Sequence, residues 1–308
     1  MARPKVKAVF IDLDGTLFDS EHRISERTVA VLHTLKERGV AFVVATGRPY
    51  TDVFGNLAAA ALCPDVIVTS NGARVHDARH AVIFECNMCP DSVRRIFQIS
   101  PHLTDDGTTD LAVPARRLLL NVNCGDRWFT NLCVPEVRAA FHPSYIYEQV
   151  DPAAHTAESL QGTHSMWVRG AHDDLACVKK FVDRELSGKI SCTFAQPYIL
   201  DCFPAGMHKG VAMGHVCAHL GILTSEAIAF GDGMNDVQML RTAGQGYVMA
   251  NAAEMVKEAA AGLPVIHSNN EEGVARQLEA LLAADAFTSC WPDNVTASAT
   301  LRAQDPPL

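Results

Sequence analysis

Short apolar runs alternate with amphipathic stretches at both ends of this chain, and this alternation limits the fold more than any other feature. The runs are KAVFID, VAFVVATG and DVIVTSNG near the start, and AIAFGDG, GYVMAN and PVIHS near the end. Stretches with helical spacing, such as SERTVAVLHTLKERG and KGVAMGHVCAHLG, lie between them. This rhythm is typical of parallel strands covered by helices. The sequence therefore predicts a doubly wound, mostly parallel α/β sheet that both ends of the chain build.

The middle of the chain has a different pattern, with several strands and only two helical stretches. The predicted strands are LLLNVNC, SMWVRG, ISCTFA and YILDCF, and the predicted helices are PDSVRRIFQIS and DDLACVKKFVDREL. We expect residues 86–203 to form a smaller α+β domain, inserted into a sheet domain of residues 1–85 and 204–284. Residues 285–308 are rich in Ser, Thr, Ala and Pro, and are predicted to form a poorly ordered tail.

Composition excludes several classes of protein. The net charge of −9 opposes binding to nucleic acid or to an anionic membrane, since both require a basic patch. No apolar run is long enough to span a bilayer, and the first one lacks the features of a signal peptide. The ten cysteines show no disulfide pattern, so a reducing cytoplasm is predicted. Cys86 and Cys89 form a CxxC pair without a second pair at zinc spacing, and the sequence does not decide whether they matter.

Two carboxylates follow the first predicted strand. Asp12 and Asp14 precede Gly15 and Thr16, which places them at the carboxyl end of a parallel strand, where open α/β sheets bind ligands. An ordinary turn rich in Asp and Gly is the alternative.

Groups suited to an oxyanion follow at two further places. Thr46, Gly47 and Arg48 end the next strand, and Pro49 can begin a helix, which offers a hydroxyl and free N–H groups. Lys209 opens a later helix, where the helix end already favours negative charge. Each pattern is common when taken alone.

A second acidic segment, GDGMND, predicts a cation. Asp232 ends a strand, and Asn235 and Asp236 follow it. If these acids share a site with Asp12 and Asp14, each close pair repels by roughly 4 kcal/mol at 4 Å and an effective dielectric near 20. Carboxylate oxygens beside a phosphate site suit Mg²⁺ better than zinc, so we expect Mg²⁺.

The segments DLDGT, ATGR, Lys-Gly and GDGMND occur in this order and together resemble the four motifs of the haloacid dehalogenase-like hydrolases. The inserted domain is similar to the type IIB cap of that superfamily. SNGARV, GYVMANA and SNNEEGVA resemble its Cof-type branch, and the closest likeness is to thiamin-pyrimidine pyrophosphate (HMP-PP) hydrolases. The likeness extends to about residue 282.

The resemblance implies a role for each motif residue. Asp12 would be the nucleophile and a metal ligand, and Asp14 the general acid and base, whose backbone carbonyl also contacts the metal. Thr46, Gly47 and Lys209 would bind the phosphoryl oxygens. Asp232 would bind Mg²⁺, and Asp236 and Asn235 would order the waters of the metal and the phosphate.

The predicted function is hydrolysis of a small phosphorylated metabolite, such as HMP-PP, pyridoxal phosphate or a sugar phosphate. A sugar phosphomutase and a sensor without turnover are the alternatives, and the protein is expected to be a monomer or homodimer. Arg48 and Asn71 are candidate substrate contacts, although Arg48 could instead form a structural ion pair. Trp128, Trp167 and His164 are predicted to pack within the cap.

Overall fold

Two β-sheets organise the residues that the computed structural model describes, which are 5–99, 104, 105, 108, 117–151, 154 and 156–291. The strands of the larger sheet are β1 Ala8–Ile11, β2 Ala41–Ala45, β3 Val66–Thr69, β4 Arg74–Asp77, β5 Val82–Glu85, β12 Ala227–Gly231, β13 Gln245–Met249 and β14 Val265–Ile266. Their order across the sheet is β14-β13-β12-β1-β2-β3-β4-β5. The first six strands in this order are parallel, and β4 and β5 extend the sheet as antiparallel strands. This arrangement confirms the predicted fold class, although the sequence did not reveal β4 and β5.

Helices cover both faces of this sheet. They are α1 Glu26–Glu37, α2 Tyr50–Ala59, α6 Lys209–Leu220, α7 Val237–Thr242, α8 Glu254–Ala259 and α9 Gly273–Ala283. Successive side chains of β1 point to opposite faces. Val9 and Ile11 pack in the apolar cluster that includes α1 and α9, and Ala8 and Phe10 pack in the cluster that includes α6 and α7. Because all four residues are fully buried, β1 lies at the centre of the fold.

The smaller sheet belongs to the inserted cap. Its strands are β6 Leu119–Cys124, β7 Arg127–Thr130, β8 Tyr147–Gln149, β9 Thr163–Arg169, β10 Ile190–Gln196 and β11 Ile199–Pro204. They lie in the order β10-β11-β9-β6-β7-β8. The helices of this part are α3 Pro90–Ile99, α4 Pro135–Arg138 and α5 His172–Glu185. We propose that the chain passes between the two domains close to residues 85/86 and 203/204, because β5 of the larger sheet ends at Glu85 and β11 of the smaller sheet ends at Pro204, one residue past the second boundary.

The predicted tail begins with residues that pack on the larger domain. Phe287 is buried and forms a bridge with Val6, and the N–H of Cys290 donates to the carbonyl of Gly39 at 2.7 Å. Residues 292–308 lie outside the described residues. Within the part of the chain that the structure describes, no helix is both long and apolar enough to cross a bilayer.

One buried histidine joins the cap to the larger domain. The Nε2–H of His164 donates to the carbonyl of Gly125 at 3.0 Å, so its Nδ1 accepts from the hydroxyl of Ser70 at 2.8 Å. Burial, and then the charge of Arg74, lower the pKa of His164 to about 3. His164 is therefore a neutral structural residue, and it contacts the larger domain as well as the cap in which the sequence predicted it to pack.

This histidine is expected to make stability depend on pH. Because its pKa is lower in the folded state than the unfolded value of about 6.5, the unfolded state binds more protons below that pH. Its contribution is complete above about pH 6.5 and is lost as the pH falls toward about 3, with a loss of about 2 kcal/mol at pH 5.

Urea unfolding at pH 7.5 and pH 5 measures this effect. His164→Gln is expected to reduce the pH-dependent change in the free energy of unfolding by about 2 kcal/mol. His219→Gln, at an exposed position of α6, is the control. An equal pH dependence in His164→Gln and in the unsubstituted protein would contradict the assignment.

Candidate active site

Polar side chains follow four neighbouring parallel strands where those strands end. Asp12 follows β1, Thr46 follows β2, Asn71 lies just after β3, and Asp232 follows β12. The register pairs Ile11 with Phe230 in adjacent strands. The carboxyl ends of these strands therefore meet at one edge of the sheet, as the sequence predicts for an open α/β fold.

A buried ammonium group joins two of the acids. The Nζ of Lys209 donates to Asp12 Oδ1 and to Asp236 Oδ1, each at 2.6 Å, and the Lys209 side chain is completely buried. Burial opposes the charge on Lys209, but Asp12 and Asp236 raise its pKa above the ordinary value. Lys209 therefore remains charged and fixes the positions of both carboxylates.

Three carboxylates lie close enough to share one cation. Ligand oxygens of Asp12, Asp232 and Asp236 lie within 4.8 Å of one another. Burial and the charge of Asp236 raise the pKa of Asp12 well above its ordinary value, although Lys209 lowers it. The same two causes raise the pKa of Asp232 to about 6. One ammonium thus does not offset two buried carboxylates and a half-buried one.

The surroundings of these acids fit a divalent cation. All three donors are carboxylate oxygens, the ligands that hard cations such as Mg²⁺ prefer. Gly15 has φ of +78°, and a Cβ at this position would lie 2.3 Å from Asp232 Oδ2. Only glycine therefore allows the DGT turn to approach Asp232 so closely. The hydroxyl of Thr16 donates to Asp232 Oδ1 at 3.0 Å and orients the same carboxylate.

Asp236 also shapes the loop that carries Asp232. Its Oδ2 accepts from the backbone N–H groups of Asp232 and Gly233 at 3.1 and 2.9 Å. One carboxylate oxygen thus closes the loop, and the other contacts Lys209. We expect that this double attachment keeps Asp232 in place before any ligand binds.

The side chain of Asp14 lies apart from this group. Its carboxylate accepts from Arg48 Nε at 2.7 Å and from Arg48 Nη2 at 2.8 Å, and 43% of the side chain is exposed. Arg48 Nη1 also donates to Asp52, a fully buried carboxylate in the first turn of α2. Of the two alternatives left open for Arg48, the structure therefore places it in ion pairs.

Asp52 connects this ion-pair group to the cap. Its Oδ1 accepts from the backbone N–H of His142 at 2.6 Å, and Arg48 Nη1 lies 3.5 Å from the carbonyl oxygen of Ala140. The sequence did not single out Asp52, although it lies four residues after Arg48, in the first turn of α2. The side chains of Arg48 and Asp52 thus link Asp14 to the cap loop of residues 140–142.

The loop after β2 departs slightly from the expected anion site. Thr46 is buried, and its Oγ1 accepts from the N–H of Arg48 at 3.1 Å, so this N–H group is not free. Pro49 precedes α2 as its N-cap residue, and the helix begins at Tyr50. The N–H of Gly47 and the hydroxyl hydrogen of Thr46 remain as donors at this point.

Asn71 lies at the centre of the sheet edge in an unusual backbone conformation. Its φ is +54°, and its Oδ1 accepts from Asn235 Nδ2 at 2.9 Å. Burial raises the pKa of Asp201 of the cap to about 6, and the nearby side chain of Asn71 lowers it. Non-glycine residues in the left-handed region are often found at binding sites. The structure therefore brings Asn71, Asn235 and a cap carboxylate together.

The CxxC pair shows no metal site. Cys86 is half-buried, Cys89 is exposed, and both are free thiols. Among the described residues, the group of His, Cys, Asp or Glu close enough to hold a metal is Asp12, Asp232 and Asp236.

Comparisons with known proteins agree with this geometry. Residues 9–278 match the model of the haloacid dehalogenase-like hydrolase family. An HMP-PP phosphatase of Yersinia pseudotuberculosis is 30% identical over 277 residues, which cover 90% of this chain and 96% of that protein.

Solved structures have the same overall fold. A haloacid dehalogenase-like hydrolase from Bacteroides thetaiotaomicron has a TM-score of 0.74 and 26% identity, and covers 90% of this chain and 100% of its own. A subclass IIB sugar phosphatase has a TM-score of 0.72 and 23% identity over 92% of this chain and 100% of its own. The second likeness concerns the fold alone.

Proposed function

This chain belongs to the haloacid dehalogenase-like hydrolases and is a phosphatase of that family, and we propose that it uses Mg²⁺ and an aspartyl-phosphate on Asp12 to hydrolyse a small phosphorylated metabolite. The observation that carries the proposal is the buried contact of Lys209 with Asp12 and Asp236, beside the third carboxylate of Asp232. A nucleophile, a fixed cation and an oxygen-rich cation site thus occupy one sheet edge.

Asp12, Asp232 and Asp236 are the side chains that would hold Mg²⁺, together with the main-chain carbonyl of Asp14. When bound, the ion supplies positive charge that offsets the carboxylates and the phosphoryl oxygens. The raised pKa values of Asp12 and Asp232 support this assignment, because they record carboxylate charge that Lys209 alone does not offset.

We propose that the reaction has two displacements at phosphorus. In the first, an oxygen of Asp12 bonds to phosphorus as the bond to the leaving oxygen breaks, and Asp14 gives its proton to that oxygen. In the second, water attacks phosphorus, Asp14 takes a proton from the water, and the bond to Asp12 breaks to release phosphate. Lys209, Thr46 and the N–H of Gly47 hold the phosphoryl oxygens, so most of the rate comes from positioning and charge.

Asp14 must leave Arg48 in order to act in this way. Its half-exposed carboxylate would exchange its two bonds with Arg48 for the leaving oxygen of the substrate, whereas Asp12 is fixed by Lys209. An acid at this position favours transfer of the phosphoryl group to water or to a sugar, because the intermediate can then be opened by a deprotonated hydroxyl. The name of the 30% identical relative supports HMP-PP as one candidate substrate.

Phosphate release from HMP-PP, pyridoxal phosphate and several sugar phosphates tests the proposal. Release is expected with Mg²⁺ and should stop when EDTA is added. A labelled sugar phosphate that gave only its isomer would identify a phosphomutase. Binding without release from any of these compounds would identify a sensor.

Replacing Asp14 by Asn is expected to lower kcat for p-nitrophenyl phosphate by about 10²- to 10⁴-fold, because the second displacement loses its base. Nitrophenol departs readily without a proton, so the phosphorylated enzyme should accumulate. Rapid-quench measurements should then show a nitrophenol burst close to one equivalent per enzyme. Asp12→Asn is the control, with neither burst nor turnover. Normal turnover in Asp14→Asn would show that Asp14 is not the acid and base.

A further inference from the structure

Two cysteines face each other in the outer hairpin of the cap sheet. Cys192 lies in β10 and Cys202 in β11, and the antiparallel register pairs them directly. Directly opposed residues of antiparallel strands have Cβ atoms about 4.5–5.5 Å apart, and a disulfide needs a Cβ spacing of about 3.5–4.5 Å. The backbone therefore holds the two residues at, or slightly beyond, the spacing of a disulfide.

The side chains of this pair also point at each other. Their Sγ atoms are 2.7 Å apart, and both residues are free thiols. This distance lies between the length of a disulfide bond, about 2.05 Å, and the usual contact distance of unbonded sulfurs. The two sulfurs therefore need to approach by less than about 1 Å to form a bond.

The pair lies on the helix side of the cap sheet. Cys202 is buried with apolar residues of α3 and α5, and Cys192 packs against the same cluster. Side chains alternate along a strand, so Asp201, which lies near Asn71 of the larger domain, is on the opposite face. A bond between the two sulfurs would therefore form away from the catalytic edge.

The two thiols differ in their access to solvent. Cys192 is half-buried, whereas Cys202 is buried. The hydrogen bond with Cys192, and then burial, raise the pKa of Cys202 well above its ordinary value. Cys202 therefore keeps its proton and can donate to a thiolate at Cys192. These properties suit Cys192 to attack a disulfide from solvent and Cys202 to act second.

We propose that Cys192 and Cys202 are a redox-active dithiol, which a low-molecular-weight disulfide converts to a reversible cross-strand disulfide. This site goes beyond the proposed phosphatase function and does not depend on it. A thiol pair with such reactivity is the kind that redox-sensing proteins of reducing compartments contain.

The reaction takes place in two exchanges. The thiolate of Cys192 attacks one sulfur of the small disulfide, whose S–S bond breaks, and the small thiol that leaves takes up the proton that Cys192 lost. Cys202 then gives up its proton and attacks Cys192 Sγ, and the second small thiol leaves with that proton. The two protein thiols are oxidised by two electrons in total, and the small disulfide is reduced by the same two electrons.

The bond secures one edge of the cap. β10 is at the end of the strand order of the smaller sheet and pairs with β11. A cross-link between these strands keeps the edge strand in place, and it closes a loop of about eleven residues, which reduces the entropy of the unfolded chain. The oxidised protein is therefore expected to unfold less readily than the reduced protein.

Oxidised glutathione tests the proposal on the full chain. The reduced protein is incubated with it at pH 8, its remaining thiols are alkylated, and its linked peptides are identified by mass spectrometry. The main product should have lost two of its ten thiols to a bond between Cys192 and Cys202, and dithiothreitol should restore both. A bond between Cys86 and Cys89 in its place, or glutathione that stays on Cys192, would overturn the proposal.

Substitutions separate the roles of the two thiols. Cys202→Ser removes the second thiol and is expected to leave glutathione trapped on Cys192, and Cys202→Ala repeats the measurement with an apolar side chain that suits the buried position. Cys192→Ser should take up no glutathione at Cys202, because that thiol is buried. Cys89→Ser, which removes an exposed thiol, is the control and should still form the bond. Equal glutathione on Cys192 with and without Cys202 would contradict these roles.

Urea unfolding of the oxidised and the reduced protein measures the effect on stability. Oxidation is expected to lower the equilibrium constant for unfolding by about tenfold to 100-fold. The same treatment should leave that constant unchanged in Cys192→Ser, which cannot form the bond. Equal urea midpoints of the two forms of the unsubstituted protein, with the bond in place, would show that the disulfide does not secure the cap.

Discussion

Replacing Asp12 by Asn is expected to lower Mg²⁺-dependent phosphate release by about 10⁴-fold or more, because an amide cannot make the bond to phosphorus on which both displacements depend. The fold should survive the change. Asn has the same shape, Lys209 still contacts Asp236, and the repulsion between two buried carboxylates disappears.

Phosphate release from p-nitrophenyl phosphate and the urea midpoint, measured on the same preparation, check both expectations. Asp91→Asn, which removes an exposed carboxylate from α3, is the control and should retain activity. Activity in Asp12→Asn within tenfold of the unsubstituted enzyme would show that the nucleophile is another residue.

Replacing Lys209 by Met is expected to lower the free energy of unfolding by about 3–5 kcal/mol at pH 8 in EDTA, because two buried carboxylates lose the cation between them. Phosphate release should fall by about 100-fold or more, since the charge near the phosphoryl oxygens is also lost. Met fills a similar volume, so the loss is mainly electrostatic.

Urea unfolding with EDTA and with Mg²⁺ measures this prediction. Mg²⁺ should raise the free energy of unfolding of Lys209→Met more than that of the unsubstituted protein. In this variant no ammonium group offsets the three carboxylates before Mg²⁺ binds. Lys179→Met makes the same substitution in an exposed i,i+4 pair on α5 and should change stability by less than about 1 kcal/mol. If Lys209→Met and Lys179→Met unfolded at the same urea concentration, Lys209 would not be holding the acids together.

The sequence predicted the main site because parallel strands align their ends. Asp12 and Asp232 directly follow apolar runs, Asp236 comes four residues after Asp232, and Lys209 opens a helix. The α/β pattern alone therefore predicts that these side chains lie near one edge of the sheet. The cluster of the three acids around one ammonium agrees with that expectation. Their individual roles in the reaction remain predictions.

The contacts between the domains could not be predicted from the sequence. Arg48 was open to two interpretations, because a guanidinium at that position reaches either a substrate or a neighbouring acid, and its rotamer decides which. Asp201 lies in a strand whose alternation resembles that of any half-buried strand. Its position near Asn71 depends on which face of the cap meets the larger domain, and the sequence pattern does not show how the domains pack.

The position of β1 at the centre of the larger sheet affects how the chain folds. β1 pairs on one side with β2, which follows soon after it, and on the other side with β12, which begins at Ala227. On the ribosome, one edge of β1 therefore stays unpaired until most of the chain has been made, and such edges promote aggregation. The cap strands are continuous in sequence from Leu119 to Pro204, so their local pairings can close first. We therefore expect the larger sheet, which brings the three acids to one edge, to finish pairing after the cap sheet.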